Sequence, residues 1–169
     1  MSDELLEKIF AEQPLLKFSL YVPNQVDALK WIGEPAFDPN SALNAGERMH
    51  RFWFFILGAY EIIRTMHENK DCFDVSIHGP MERIKAQLAD IRMPFAKLQI
   101  QGKNKTPIFS ELSVVSARDN FSDFTYNIGG KLISARNVFQ ETMSFFSSIK
   151  IEHVTYGLES QVKSAVKIN

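Results

Sequence analysis

The sequence predicts an α+β fold: a helical core of long antiparallel helices with a small antiparallel β-meander before a C-terminal helix. Three observations predict it. Residues 41–69 contain neither proline nor a cluster of breakers and hold the aromatic stretch "RFWFFILGAYEIIR", which reads as one helix on the order of 40 Å long. Further on, Met81, Ile84, Leu88, Ile91, Phe95 and Leu98 recur at alternating spacings of three and four, a heptad seam for packing against a neighbouring helix. Past "QGKNKTP" the period changes to two, with Leu112 and Val114, then Phe124, Tyr126 and Ile128, alternating with polar neighbours as half-buried strands do.

In chain order, residues 3–12 place Leu5, Leu6, Ile9 and Phe10 on one helical face with acids in the first turn, where the helix dipole favours them. Pro14 ends that helix. "KFSLYV" alternates Phe18, Leu20 and Val22 and predicts a short strand or extended segment stopped by Pro23. Asn24 then caps a second helix through Trp31, with Asp27 where a capping-box acid stands. The glycine, two prolines and turn-forming residues of "GEPAFDPNS" predict a loop before the long helix.

"KDCFDVSIHG" connects the long helix to the seam helix, which the sequence starts at Pro80, since the missing N–H costs nothing at a first helical position. Pro94 removes the hydrogen bond to the Asp90 carbonyl and predicts a kink. In "NIGGKL", Gly129 and Gly130 can both take the positive φ of a type I′ hairpin. Ser134 caps a last helix over 135–149, with Val138, Phe139, Met143, Phe146 and Ile149 as its apolar face. The tail is open to two readings: "IEHVTY" alternates like a strand and "LESQVKSAVK" is mildly helical.

A length of 169 residues suits a single domain, 1–169. Hydrophobic residues at 45% and charged residues at 23% place the chain among globular proteins, and 14 Phe with 4 Tyr and 2 Trp predict a compact aromatic core or a broad contact surface. A net charge of −1 supplies no field for collecting polyanions. Lys97, Lys103 and Lys105 form the one noticeable basic cluster, without aromatics beside them, so nucleic acid is not an expected partner. A lone cysteine, Cys72, excludes a disulfide scaffold. With the acidic, amphipathic start "MSDELLEKIF", unlike a signal peptide, it predicts a cytoplasmic protein.

The aromatic stretch raises the membrane question directly. His50 and Arg51 on one side and Glu61 on the other bracket only nine residues, whereas a span needs about 20. No membrane association is expected. A helix apolar around its circumference calls for contact on all sides. Burying Phe52, Trp53, Phe54, Phe55, Ile56 and Leu57 would contribute roughly 10 to 15 kcal/mol as an upper bound. The expectation is that this rod is sealed by the chain's own layers, by a second subunit across a two-fold axis, or by both.

Candidates for chemistry lie at the polar ends of the same helix. Glu61 and Arg64 stand three apart, Arg51 and His67 extend the polar character, and Arg92 reaches the same place if the two long helices pack antiparallel. A carboxylate and guanidinium beside an apolar wall can bind and polarise a ligand; equally, they can be a helix-face ion pair worth perhaps 0.3 to 0.5 kcal/mol. Arg51, Glu61, Arg64, His67 and Arg92 are therefore the candidate ligand-binding residues. His67, Cys72, Asp74 and His78 are metal-binding types at spacings that match no usual pair, so neither metal nor cofactor is expected. The helical part resembles the small bacterial HEPN ribonucleases in general shape only: Arg64 stands too near His67, and Arg51 too far from it, for that family's arginine–histidine pair. P-loop, dinucleotide-binding, nucleophile-elbow and metalloprotease patterns do not occur. The function expected is that of a non-enzymatic, intracellular, bacterial-type protein acting through protein–protein contacts as a homodimer. The alternative is a small enzyme or ligand-binding protein with its site at Glu61, Arg64, His67 and Arg92.

Overall fold

The computed structural model describes residues 14–97, 112–118 and 121–154, and within them four helices and one antiparallel sheet follow the predicted α+β order. The helix expected over 3–12, Leu98 of the seam, the lysine loop and the tail beyond 154 lie outside the described residues.

Helix α1 runs Pro14–Phe37, so the extended segment predicted for "KFSLYV" and the first half of the predicted loop are both helical. Three alternating residues are too few to separate a period of two from a helical face. Pro23 and Pro35 lie inside α1; each removes one hydrogen bond, a local cost of about 3 kcal/mol. The burial of Leu29, Ala36 and Phe37 in the core offsets it.

Helix α2, Ala45–Glu68, begins behind a capping box: the Asn44 side chain accepts from the Glu47 N–H at 3.0 Å while the Asn44 N–H donates to Glu47 Oε2 at 2.8 Å. Its start is set further by Arg48, whose side chain is fully buried. The guanidinium donates to the carbonyls of Ala36, Asp38 and Ser41, each at 2.9 Å, and Nε to that of Leu43 at 3.1 Å. Arg136 donates to the Phe37 carbonyl at 2.7 Å. Two cations thus occupy the C-terminal end of α1, where orphan carbonyls and the negative end of the dipole favour them. Helix and turn are pinned together there.

Helix α3 spans Val75–Lys97, five residues longer at its start than predicted. Asp74 accepts from the Ser76 N–H at 2.9 Å and serves as its N-cap, which leaves Pro80 and Pro94 in the interior. The seam faces inward as expected, with Met81, Ile84, Leu88 and Ile91 buried. Strands β1, Leu112–Arg118, β2, Asp123–Ile128, and β3, Lys131–Ser134, pair antiparallel in the order β1-β2-β3. The register slips between Val114 and Ser116, a bulge on an edge strand. Gly129 and Gly130 take φ of 59° and 89°, as the predicted hairpin requires. Ser134 caps α4, Ala135–Ser148, by accepting from the Asn137 N–H at 3.2 Å.

The core is where the phenylalanines go. Phe52 of α2 meets Phe124 and Tyr126 of β2 at ring distances of 5.6 and 5.9 Å, and Phe139 of α4 meets Phe37 and Phe55 at 5.0 and 4.9 Å. Sheet and α4 therefore cover one side of α2, while α1 and α3 flank it. Phe52, Phe55, Ile56, Ala59, Ile63 and Met66 are sealed from water. Among the described residues no layer fully covers the fourth side of α2: Phe54 is 54% exposed, and Trp53, Leu57 and Tyr60 are half-buried. Of the expected covers, the chain's own layers or a second subunit, its own layers among the described residues seal the rod on three sides. Among the described residues, no helix is long and apolar enough to cross a membrane.

Candidate functional site

Antiparallel packing of α2 and α3 brings together three of the five candidate residues. Glu61 Oε2 accepts from Arg64 Nε at 2.9 Å and lies 2.8 Å from its NH2, and Glu61 Oε1 accepts from Arg92 NH2 at 3.3 Å. Arg64 also holds Glu68 at 2.8 Å. The hydrogen bond and charge of Glu61 push the Arg64 guanidinium up from its already high value. Arg92, 23% exposed along its side chain, lies 4.7 Å over the Tyr60 ring, a cation–π contact; its Nε is buried and has no hydrogen-bond partner. Both oxygens of Glu61 are thus engaged by guanidinium groups. In a partly wet setting such pairs contribute little to stability.

The other two candidates stand apart. His67 sits on the next turns, where Lys85 Nζ donates to its Nδ1 at 3.0 Å and Glu82 lies 3.9 Å from its Nε2. Arg51 is ten residues from Glu61, about 15 Å along the helix. Its guanidinium lies 5.8 Å from the centre of the Trp31 ring and donates to the Ile32 carbonyl at 3.4 Å. The residues weighed as metal ligands have local duties. His78 Nε2 lies 2.9 Å from the Lys70 carbonyl oxygen and 3.0 Å from that of Phe73, and the Asp74 N–H donates to the His153 carbonyl at 2.8 Å. Hydrogen bonds from Ser76 hold the Asp74 carboxyl below its ordinary range, and burial pushes the Cys72 thiol up. Among the described residues, no three His, Cys, Asp or Glu side chains are grouped to hold a metal.

What sequence reasoning missed is the outer groove between α1 and α2. At one end Trp31, 72% exposed, and Phe54 border a cleft of about 340 Å³ with Ile32, Leu43, His50 and Arg51. At the other end a second cleft, also of about 340 Å³, is bounded by Gln25, Ala28, Leu29, Gly58, Glu61 and Thr65. Gly58 lets α1 come close, since a Cβ there would lie 2.7 Å from Leu29 Cδ2. Glu61 alone of the Glu61, Arg64 and Arg92 group borders this hollow. The exposure of Trp31 has no signal of its own in the sequence, because the breakers that follow it place the end of its helix there.

No protein-family model matches the chain, and no curated protein or solved structure matches it either.

Proposed function

We propose that the protein acts without catalysis, through protein–protein contact, and that its partner is a second copy of the chain seated on the α1–α2 face. The observation that carries this reading is that Trp31, 72% exposed, and Phe54, 54% exposed, border one cleft between adjacent helices. Large aromatics left wet side by side mark contact surfaces, and Trp and Arg are the side chains that most often anchor them. The charges bordering the same cleft fit a self-complementary surface: Arg51 and Glu47 are one of each sign. A cytoplasmic location accompanies the proposal.

Light scattering at micromolar concentration tests it, with a dimer expected. Trp31→Glu and Phe54→Glu are each expected to give a soluble, folded monomer. A wild-type chain that remains monomeric under those conditions overturns the reading. Ligand binding or catalysis at Glu61, Arg64, His67 and Arg92 is the weaker reading, because those guanidinium groups are occupied with carboxylates and do not border the hollow beside Glu61.

A further inference from the structure

Lys85 of α3 and His67 of α2 meet where the two helices pack, with Lys85 Nζ 3.0 Å from His67 Nδ1. An ammonium group only donates, so Nδ1 accepts and the imidazole hydrogen stands on Nε2. That nitrogen faces Glu82 at 3.9 Å, too long for a hydrogen bond but near enough for the carboxylate to favour a positive imidazole. The order is amine, base, anion, the relation of a nucleophile to a base that a third group supports. In this Lys85 differs from other lysines of the chain. Lys30 lies beside Glu34, Lys131 beside Asp90 and Lys150 beside Glu152, at 3.6, 3.1 and 3.8 Å, and a carboxylate beside an ammonium group holds the proton on it. Among the described residues no carboxylate does this for Lys85. Glu68, the residue after His67, is taken by Arg64 at 2.8 Å.

We infer that Lys85 is a nucleophilic amine that accepts acyl groups from thioesters, with His67 as the acceptor of its proton. Lys85 passes a proton to His67 Nδ1, and the imidazolium so formed faces Glu82. The freed lone pair of Nζ forms a bond to the thioester carbonyl carbon, the C–S bond breaks, and the sulfur leaves as thiolate with the bonding pair. Nζ gives up a second proton to become the neutral amide nitrogen. Of the two protons released, one ends on the thiolate and the other passes to solvent. Thioesters are the donor class because these three side chains supply a base and an anion, so the donor must carry its own leaving group; a thiol of pKa about 8.5 departs without help from an acid. The site stands apart from the Trp31 and Phe54 face, since His67 lies about 20 Å along α2 from Phe54. Failure of either reading leaves the other standing.

Acetylation of the full chain by limiting S-phenyl thioacetate, followed lysine by lysine with mass spectrometry, tests the inference. At about pH 8, Lys85 is expected to react at least about ten-fold faster than Lys70, although Lys70 is exposed and Lys85 only half so. His67→Gln keeps an acceptor for the Lys85 ammonium group but takes up no proton, and is expected to bring Lys85 to the rate of Lys70 in a chain of unchanged circular dichroism. In the wild-type chain the ratio of the two rates is expected to fall toward one at about pH 5, where imidazole ordinarily holds its second proton and no longer accepts. A Lys85 that reacts no faster than Lys70 overturns the inference, and so does an advantage that survives His67→Gln or stays constant across that pH range.

Discussion

On the inner face of α2, Phe52, Phe55, Ile56, Ala59 and Ile63 are fully removed from water, whereas one residue before Phe55 the ring of Phe54 keeps 54% of its surface exposed. Both faces are rich in aromatic and aliphatic groups, yet among the described residues the inner one is covered throughout and the outer one only along its flank with α1. What separates them is the company each keeps. The inner rings interlock with Phe124, Tyr126 and Phe139, while the outer ring lies 5.0 Å from that of Trp53 and borders a cleft with Trp31 and Arg51. An apolar run in a sequence therefore establishes that a helix has much to bury, and says nothing of which chain does the burying.

The contrast can be broken most sharply by deleting neighbouring rings. Phe55→Ala should cost about 3–5 kcal/mol in chemical denaturation of the folded chain, by transfer and cavity terms together. Phe54→Ala should cost the fold less than about 1 kcal/mol while weakening self-association. Equal losses at the two positions would erase the distinction between the faces. Arg48→Met should destabilise by about 3 kcal/mol or more, because the carbonyls around the guanidinium would be left buried without a donor; Arg51→Met, on the outer face, should leave denaturation midpoints nearly unchanged.

Gly33→Ala sharpens the inner boundary. A Cβ there would lie 2.4 Å from Phe139 Cε2 and 3.2 Å from Phe55 Cδ2. Overpacking of about 1–3 kcal/mol should outweigh the gain in helix propensity of up to about 1 kcal/mol, and a rise in melting temperature would mean that α1 and α4 have room to separate. The smallest effect at neutral pH belongs to Tyr126, whose phenol is pushed up to about 12 by burial. The folded chain then keeps a proton that the unfolded chain begins to lose near pH ~10, so stability should fall as pH rises from there through 12. Absorbance titration of phenolate checks this: an additional tyrosine ionising at ordinary pH in the folded protein would contradict the burial.

The meander and the last helix were legible because their signals are local and chemical: two glycines able to adopt positive φ, and a serine placed to cap. The inward seam of α3 was legible because period is a property of the chain itself. Legibility failed wherever tertiary contact outweighs local preference. Pro23 and Pro35 read as stops, yet α1 continues to Phe37 because Ala36 and Phe37 are buried and their carbonyls are held by Arg48 and Arg136. Arg48 itself gave no sign of its burial, since its partners are main-chain oxygens and leave no matching acid in the sequence. Of the candidate site, the meeting of Glu61 with Arg64 and Arg92 follows from antiparallel packing, whereas Arg51 and His67 sit too far along α2 to join it.

The cage around Arg48 carries a consequence for tolerance to change. Its oxygens come from Ala36, Asp38, Ser41 and Leu43, and a carbonyl is the same whatever side chain stands beside it. Replacements at Asp38 or Ser41 should therefore leave the Arg48 contacts in place and cost only the side-chain hydrogen bonds from the Asn40 and Leu43 N–H groups, while inserting or removing a single residue between Asp38 and Ser41 would shift the Ala36 and Asp38 oxygens away from the guanidinium. The bend between the first two helices is thus encoded as much by spacing and one buried cation as by the side chains of the turn.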